Sequence, residues 1–148
     1  MKVIGEVLNG VPNRKGIMYW DNGDRYEGEW KNDRTNGKGI YLHVSGNIYV
    51  GDFINRNKGG KWIYYFSCSN RYEGDFRNGK SEGKGIYYYD NGDRYIGDWR
   101  SGKREGKGIY YWNNGNRIMG DYSNNELIGK HAIFTKFGKV KKVIWPFR

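Results

Sequence analysis

At 148 residues and a net charge of +10, the chain is long enough for one domain and attractive to anionic surfaces or acidic partners. It holds 24 glycines, 14 tyrosines, 6 tryptophans and 6 phenylalanines, with few leucines and Ala132 as its single alanine, so a helical bundle is excluded and β-structure favoured. The lone cysteine, Cys68, rules out an internal disulfide, and no apolar run reaches the length of a membrane span.

From Val3 onward a 23-residue unit recurs six times without insertion or deletion, over 3–25, 26–48, 49–71, 72–94, 95–117 and 118–140, followed by a tail at 141–148. Near the start of each unit a glycine precedes an acid: Gly5-Glu6, Gly28-Glu29, Gly51-Asp52, Gly74-Asp75, Gly97-Asp98 and Gly120-Asp121. Further on every unit carries a lysine: Lys15, Lys38, Lys61, Lys84, Lys107 and Lys130. A fixed period of this length means stacked supersecondary units, each touching only its neighbours, so 1–148 is expected to be one repeat domain.

Each unit predicts two short strands, about twelve in all. Unit one departs from the later ones at Arg14, where Gly37, Gly60, Gly83 and Gly106 stand. Unit two places Tyr26 and Trp30 in its first strand and Tyr41 in its second. Unit three is the internal exception, with Trp62 in place of the second-strand glycine and Ser69 in place of the turn glycine. A tryptophan there should perturb the curvature or fill the groove. Unit four reads most plainly: Tyr72, Gly74 and Phe76 alternate with Glu73 and Asp75, then Gly83, Gly85, Tyr87 and Tyr89 with Lys84, Ile86 and Tyr88. Unit five repeats this with Tyr95, Trp99, Tyr110 and Trp112, and unit six has His131 at the glycine position, as a capping unit would. In the tail, Val143, Ile144, Trp145 and Phe147 are apolar enough to fold over the last hairpin or to anchor a partner or a second copy.

Face parity decides the register. A three-residue loop at Asp90-Asn91-Gly92 pairs Tyr87 with Tyr95, Gly85 with Gly97 and Lys84 with Asp98, keeping each face consistent. A longer loop around Asn78-Gly79-Lys80 then pairs Tyr72 with Tyr87, Gly74 with Gly85 and Asp75 with Lys84. The expected product is an all-β, elongated, single-layer twisted antiparallel meander, roughly 55 Å long at a strand spacing near 4.8 Å. Ladders of tyrosine, glycine and alternating acid and lysine should cross it, with rings lying flat over the bare glycine backbone.

Tyr95-Ile96-Gly97-Asp98-Trp99, Gly102-Lys103 and Gly106-Lys107-Gly108 together resemble the membrane occupation and recognition nexus (MORN) repeat, and the resemblance extends over roughly residues 3 to 140. It implies an open, solenoid-like array of hairpins that acts as a scaffold. It further implies that such arrays bind proteins on an aromatic concave face, associate with phospholipid or cytoskeleton, or pair end to end.

No catalytic, cofactor or metal constellation stands out. His43 and His131 are isolated, and Asp21-Asn22-Gly23-Asp24 and Asp90-Asn91-Gly92-Asp93 read as turns, lacking the distal glutamate of a calcium loop. The partner-binding candidates are the rings Tyr26, Trp30, Tyr41, Tyr72, Phe76, Tyr87, Tyr89, Tyr95, Trp99, Tyr110 and Trp112. They suit a helical or extended protein segment. A basic edge including Arg77, Lys80, Arg100, Lys103 and Arg104 offers the alternative of an anionic membrane lipid, and a homodimer is a further option. Nucleic acid is disfavoured because acids share the opposite face. A non-enzymatic cytoplasmic scaffold, associated with membrane or cytoskeleton, is the expectation.

Overall fold

The computed structural model describes residues 1–9 and 11–146. It contains one antiparallel sheet of 13 strands in sequential order. These are β1 (Lys2–Leu8), β2 (Val11–Tyr19), β3 (Arg25–Lys31), β4 (Arg34–Leu42), β5 (Ile48–Ile54), β6 (Asn57–Tyr65), β7 (Arg71–Arg77), β8 (Lys80–Tyr88), β9 (Arg94–Arg100), β10 (Lys103–Tyr111), β11 (Arg117–Ser123), β12 (Glu126–Phe134) and β13 (Val140–Ile144). The sheet does not close, and among the described residues no second layer covers either face. The thirteenth strand comes from the tail: Val143 pairs with Ala132 and Ile144 with His131, extending the sheet rather than folding over it. Phe147 lies outside the described residues.

Between units the expected register holds, with Lys84 opposite Asp98, Gly85 opposite Gly97 and Tyr87 opposite Tyr95. A three-residue loop makes the turn, closed by bonds from Tyr89 N to Asp93 O and Gly92 N to Tyr89 O, with Gly92 at φ 90°. Ser69 holds the equivalent left-handed conformation at φ 70° despite its side chain.

Within a unit the structure corrects the expected pairing. Arg77 pairs with Lys80 across a two-residue turn at Asn78-Gly79, both at positive φ, which is the type I′ pattern. Gly74 still meets Gly85, but Phe76 meets Ser81, so one residue on β7 faces three on β8. Asp75 therefore does not ladder with Lys84; it lies opposite Lys61 of the preceding unit. Gly83, at φ 66° inside the bulge, supplies the conformation that makes it possible, and Arg14 adopts φ 62° at the same place in unit one. The hairpin tightens its turn and relocates the surplus residues into the strand. Opposite charges pair across the units, with Lys38 Nζ 3.5 Å from Asp52 and Lys107 Nζ 3.7 Å from Asp121.

A second device joins consecutive units at the three-residue turns. The side chain at a fixed repeat position accepts a hydrogen bond from a backbone N–H in the next unit's turn. Asp24 accepts from Val44 N at 2.9 Å, Asn47 from Ser67 N at 2.9 Å, Asn70 from Asp90 N at 2.9 Å, Asp93 from Asn113 N at 2.8 Å and Asn116 from Lys136 N at 3.1 Å. Asp93 also accepts from Tyr110 Oη at 2.6 Å, and Asp24 from Tyr41 Oη. These hydrogen bonds, the tyrosine's first, hold both buried carboxyls below the usual carboxylate range.

The folded protein thus binds fewer protons at these two sites than the unfolded chain, whose carboxyls titrate near 3.8. Their stabilisation is complete above that value and is lost as pH falls towards the lower folded values. The Tm should decline in acid below about pH 4, and the double substitution Asp24→Asn, Asp93→Asn should flatten that decline at little cost near neutrality. Asn47 and Asn70 already perform the same bond uncharged. Thermal melts from pH 2 to 7 check this, and an unchanged acid limb in the double variant contradicts it.

Candidate protein-binding face

The rings on one face divide into two tiers. The inner tier lies over the glycine ladder: Tyr26 and Tyr95 are fully buried, Tyr72 is 2% exposed, and Trp30, Phe76 and Trp99 are buried beside them. The cause is the missing side chains. A Cβ at Gly85 would overlap the Tyr72 ring, meeting Cε2 at 2.6 Å, and Gly39 and Gly108 stand in the same relation to Tyr26 and Tyr95. Each of these tyrosines turns its hydroxyl to a carbonyl inside the bulge, Tyr26 to Glu29 O at 2.9 Å, Tyr72 to Asp75 O at 3.1 Å and Tyr95 to Asp98 O at 3.3 Å. The indoles bridge strands: Trp30 Nε1 donates to Gly16 O and Trp99 Nε1 to Gly85 O, both at 3.2 Å. Edge-to-face contacts tie the tier together, for example Tyr72 to Trp99 at 5.2 Å between centroids.

The outer tier stands nearer the three-residue turns. It runs unbroken as Trp20, Tyr41, Tyr49, Tyr64, Phe66, Tyr87, Tyr89, Tyr110 and Trp112, with successive ring centroids 3.9 to 6.4 Å apart. Apart from Tyr64, which is buried, these rings are half-exposed.

Of the eleven candidate rings, six therefore sit in the inner tier, Tyr26, Trp30, Tyr72, Phe76, Tyr95 and Trp99, with little surface to offer a partner. Tyr41, Tyr87, Tyr89, Tyr110 and Trp112 belong to the accessible outer tier. Trp20, Tyr49, Tyr64 and Phe66 join that tier without having been singled out, although Trp20 and Phe66 occupy the repeat position of Tyr89 and Trp112. Trp62 fills the groove: it is 2% exposed, packs 4.5 Å from Phe53, and donates from Nε1 to Gly59 O at 2.8 Å.

The basic candidates also separate. Arg77, Lys80, Arg100 and Lys103 are exposed where strands meet the two-residue turns. Arg104 instead lies on the aromatic face, its guanidinium 5.2 Å from the Tyr122 ring and bonded to Asn125 O at 2.6 Å. The opposite face carries an aliphatic row, Ile86, Ile96, Ile109 and Met119 in adjacent strands, beside a ladder of arginines on rings: Arg71 over Tyr88 at 4.2 Å, Arg94 over Tyr111 at 4.4 Å and Arg117 over Phe134 at 5.1 Å. Among the described residues no group of His, Cys, Asp and Glu could hold a metal ion, and no helix is long and apolar enough to cross a membrane.

The sequence matches the MORN repeat family over residues 4–25, 26–48, 72–94 and 95–117, more than half of the chain. These windows fall on units one, two, four and five; the structure gives units three and six the same hairpin. No curated protein matches the sequence. Among solved structures the chain is similar to the SAS-4 (dCPAP) TCP domain of Drosophila melanogaster, solved in complex with a proline-rich motif of Ana2 (dSTIL). The TM-score is 0.52 at 15% identity, covering 90% of this chain and 84% of that one. It is also similar to the wild-type TCP10 domain of Danio rerio CPAP, with a TM-score of 0.41 at 13% identity, covering 91% of this chain and 64% of that one. At such identity the likeness to the first is one of fold.

Proposed function

The chain belongs to the MORN repeat family, and we propose that it is a non-enzymatic scaffold that binds an extended protein segment along the outer tier of rings. The observation that carries this reading is the unbroken outer row on a face that no second layer covers among the described residues. Sheets ordinarily bury such a face against another element. Rings that are already packed, half-exposed and short of rotamer freedom make inexpensive anchors, and tyrosine and tryptophan lead the residue types found in binding hot spots. The similar TCP domain was solved with a proline-rich motif, and an extended, preorganised segment of that kind suits a continuous row of rings.

The test is selection of binders from a displayed library of proline-rich and random peptides, followed by affinity measurement on Tyr110→Ser and Trp112→Ser. Each should weaken binding by about 2 kcal/mol or more while leaving the fold intact. Undiminished binding to both variants, or binders that map to the opposite face, overturns the assignment. Pelleting with anionic vesicles that is abolished by serine at Arg77, Lys80, Arg100 and Lys103 would instead favour a lipid surface as the ligand.

A further inference from the structure

Three departures from the repeat converge on one place. At the position of Gly39 and Gly85, unit three has Trp62; at that of Thr35 and Ser81 it has Lys58; and at that of Trp20, Phe66 and Tyr89, unit two has His43. Their effects are linked. Trp62 occupies the space over the sheet that Gly39 and Gly85 leave to Tyr26 and Tyr72. The equivalent tyrosine, Tyr49, is displaced outward and stacks on Tyr64 at 3.9 Å. Tyr49 thereby carries the row where His43 replaces the repeat's ring, and the displaced arrangement leaves a cavity of about 530 Å³, lined by Trp20, Trp30, Tyr41, His43, Tyr49 and Phe53, with Lys58 in its wall.

Lys58 lies opposite Phe53 in the sheet, with Nζ 2.9 Å from the Tyr49 ring centroid and 5.5 Å from that of Tyr41. Among the described residues no carboxylate comes within ion-pair distance of it. The neighbouring acids are committed elsewhere. Asp24 accepts from Tyr41, Val44 and Asn22, while Asp33 pairs with Arg56 at 3.7 Å on the rim. Ring faces attract an ammonium, but they do not supply the acceptors that water provides. Burial pushes the Lys58 amine down to about 8, as expected of a half-buried cation lacking a counter-charge, with the Asp24 charge opposing the shift. Arg104, at the same position in unit five, is satisfied by Asn125 O.

We infer that this cavity is the specificity pocket of the binding face, taking an aspartate or glutamate side chain of an extended partner peptide onto Lys58, with the partner's adjoining apolar residue against Trp20, Tyr41 and Tyr49. The inference rests on the peptide-binding reading and narrows it to acidic-apolar sequences. A side chain fits better than a chain terminus, because the cavity opens onto the ring row at Tyr41 and Tyr49, along which the partner backbone continues.

The test uses peptides selected from a random display library on the intact protein, then synthesised with amidated C-termini so that every carboxylate is a side chain. Replacing the selected acid by its amide should weaken binding to the parent about tenfold or more, and leave binding to Lys58→Met unaffected. Lys58→Arg should retain much of the preference. On binding, the Lys58 amine, followed by ¹³C-labelled lysine NMR, should titrate at higher pH. Selected peptides that bind the outer row with no acid preference, or an acid-to-amide loss equally large on Lys58→Met, overturn the pocket while leaving the broader reading intact. Failure of the intact protein to enrich any peptide overturns both.

Discussion

Gly85→Val is expected to be among the most damaging single substitutions in the chain, costing more than about 3 kcal/mol and leaving the purified variant partly unfolded at room temperature. A Cβ alone would overlap the Tyr72 ring, and valine adds two further methyls. The ring has nowhere to go. It is boxed between Phe76 at 5.0 Å and Trp99 at 5.2 Å, and its hydroxyl is bonded to Asp75 O inside the bulge. Moving it would uncover the glycine backbone and leave a bulge carbonyl without its donor. Gly74→Val should be comparably severe for a different reason, since there a Cβ lies 2.6 Å from Gly85 Cα and from Lys84 O, in the backbone of the next strand.

A double-mutant comparison separates the two causes. If the ring is what forbids a side chain at residue 85, Gly85→Ala in a Tyr72→Ala background should cost much less than in the parent, a coupling of more than about 1 kcal/mol by urea unfolding. At residue 74 the same background should leave most of the penalty in place, because the two nearest obstructing atoms, Gly85 Cα and Lys84 O, are main chain and only the third, the Tyr72 hydroxyl at 2.7 Å, is removed. Neutral behaviour at both glycines would contradict this packing.

The glycine ladder, the turn at Asp90-Asn91-Gly92 and the parity of the faces were legible because a strict period exposes each position repeatedly. The pairing of Asp75 was not. Asn78-Gly79 is a strong two-residue hairpin signal, yet a turn that short puts Gly74 out of line with Gly85 unless the second strand holds surplus residues. A rule that counts residues from the turn outward assumes a regular ladder and cannot see a bulge. Only Gly83, a glycine within an otherwise good strand, hinted at one. The rings show a related limit. Alternation assigned Tyr72 and Tyr89 to one face, but burial depends on what each ring lies over, and that is decided by the neighbouring strand. Trp62 shows it most clearly: its place in the glycine row was visible, whereas the displacement of Tyr49 and the resulting cavity follow only from three-dimensional packing.

The two tiers predict opposite phenotypes for rings of the same face. Trp99→Ala should destabilise by about 3–5 kcal/mol, the range for deleting a large buried aromatic. Trp99 is 8% exposed, donates to Gly85 O and touches Tyr72, Tyr87 and Tyr95 with centroids 5.2 to 6.1 Å away. Tyr89→Ala removes a half-exposed ring whose described contacts are Tyr87 at 4.7 Å and Tyr110 at 5.6 Å, so it should cost less than about 1.5 kcal/mol of stability. Its effect belongs to binding instead, where an outer-tier anchor should lose about 2 kcal/mol. Chemical denaturation of each variant, with affinity for a selected peptide measured where the variant is fully folded, distinguishes the roles. A Trp99→Ala protein as stable as the parent would mean that the inner tier is not the core. A Tyr89→Ala protein that binds as tightly as the parent would mean that the outer tier serves only to cover the inner one, and that partners engage another surface.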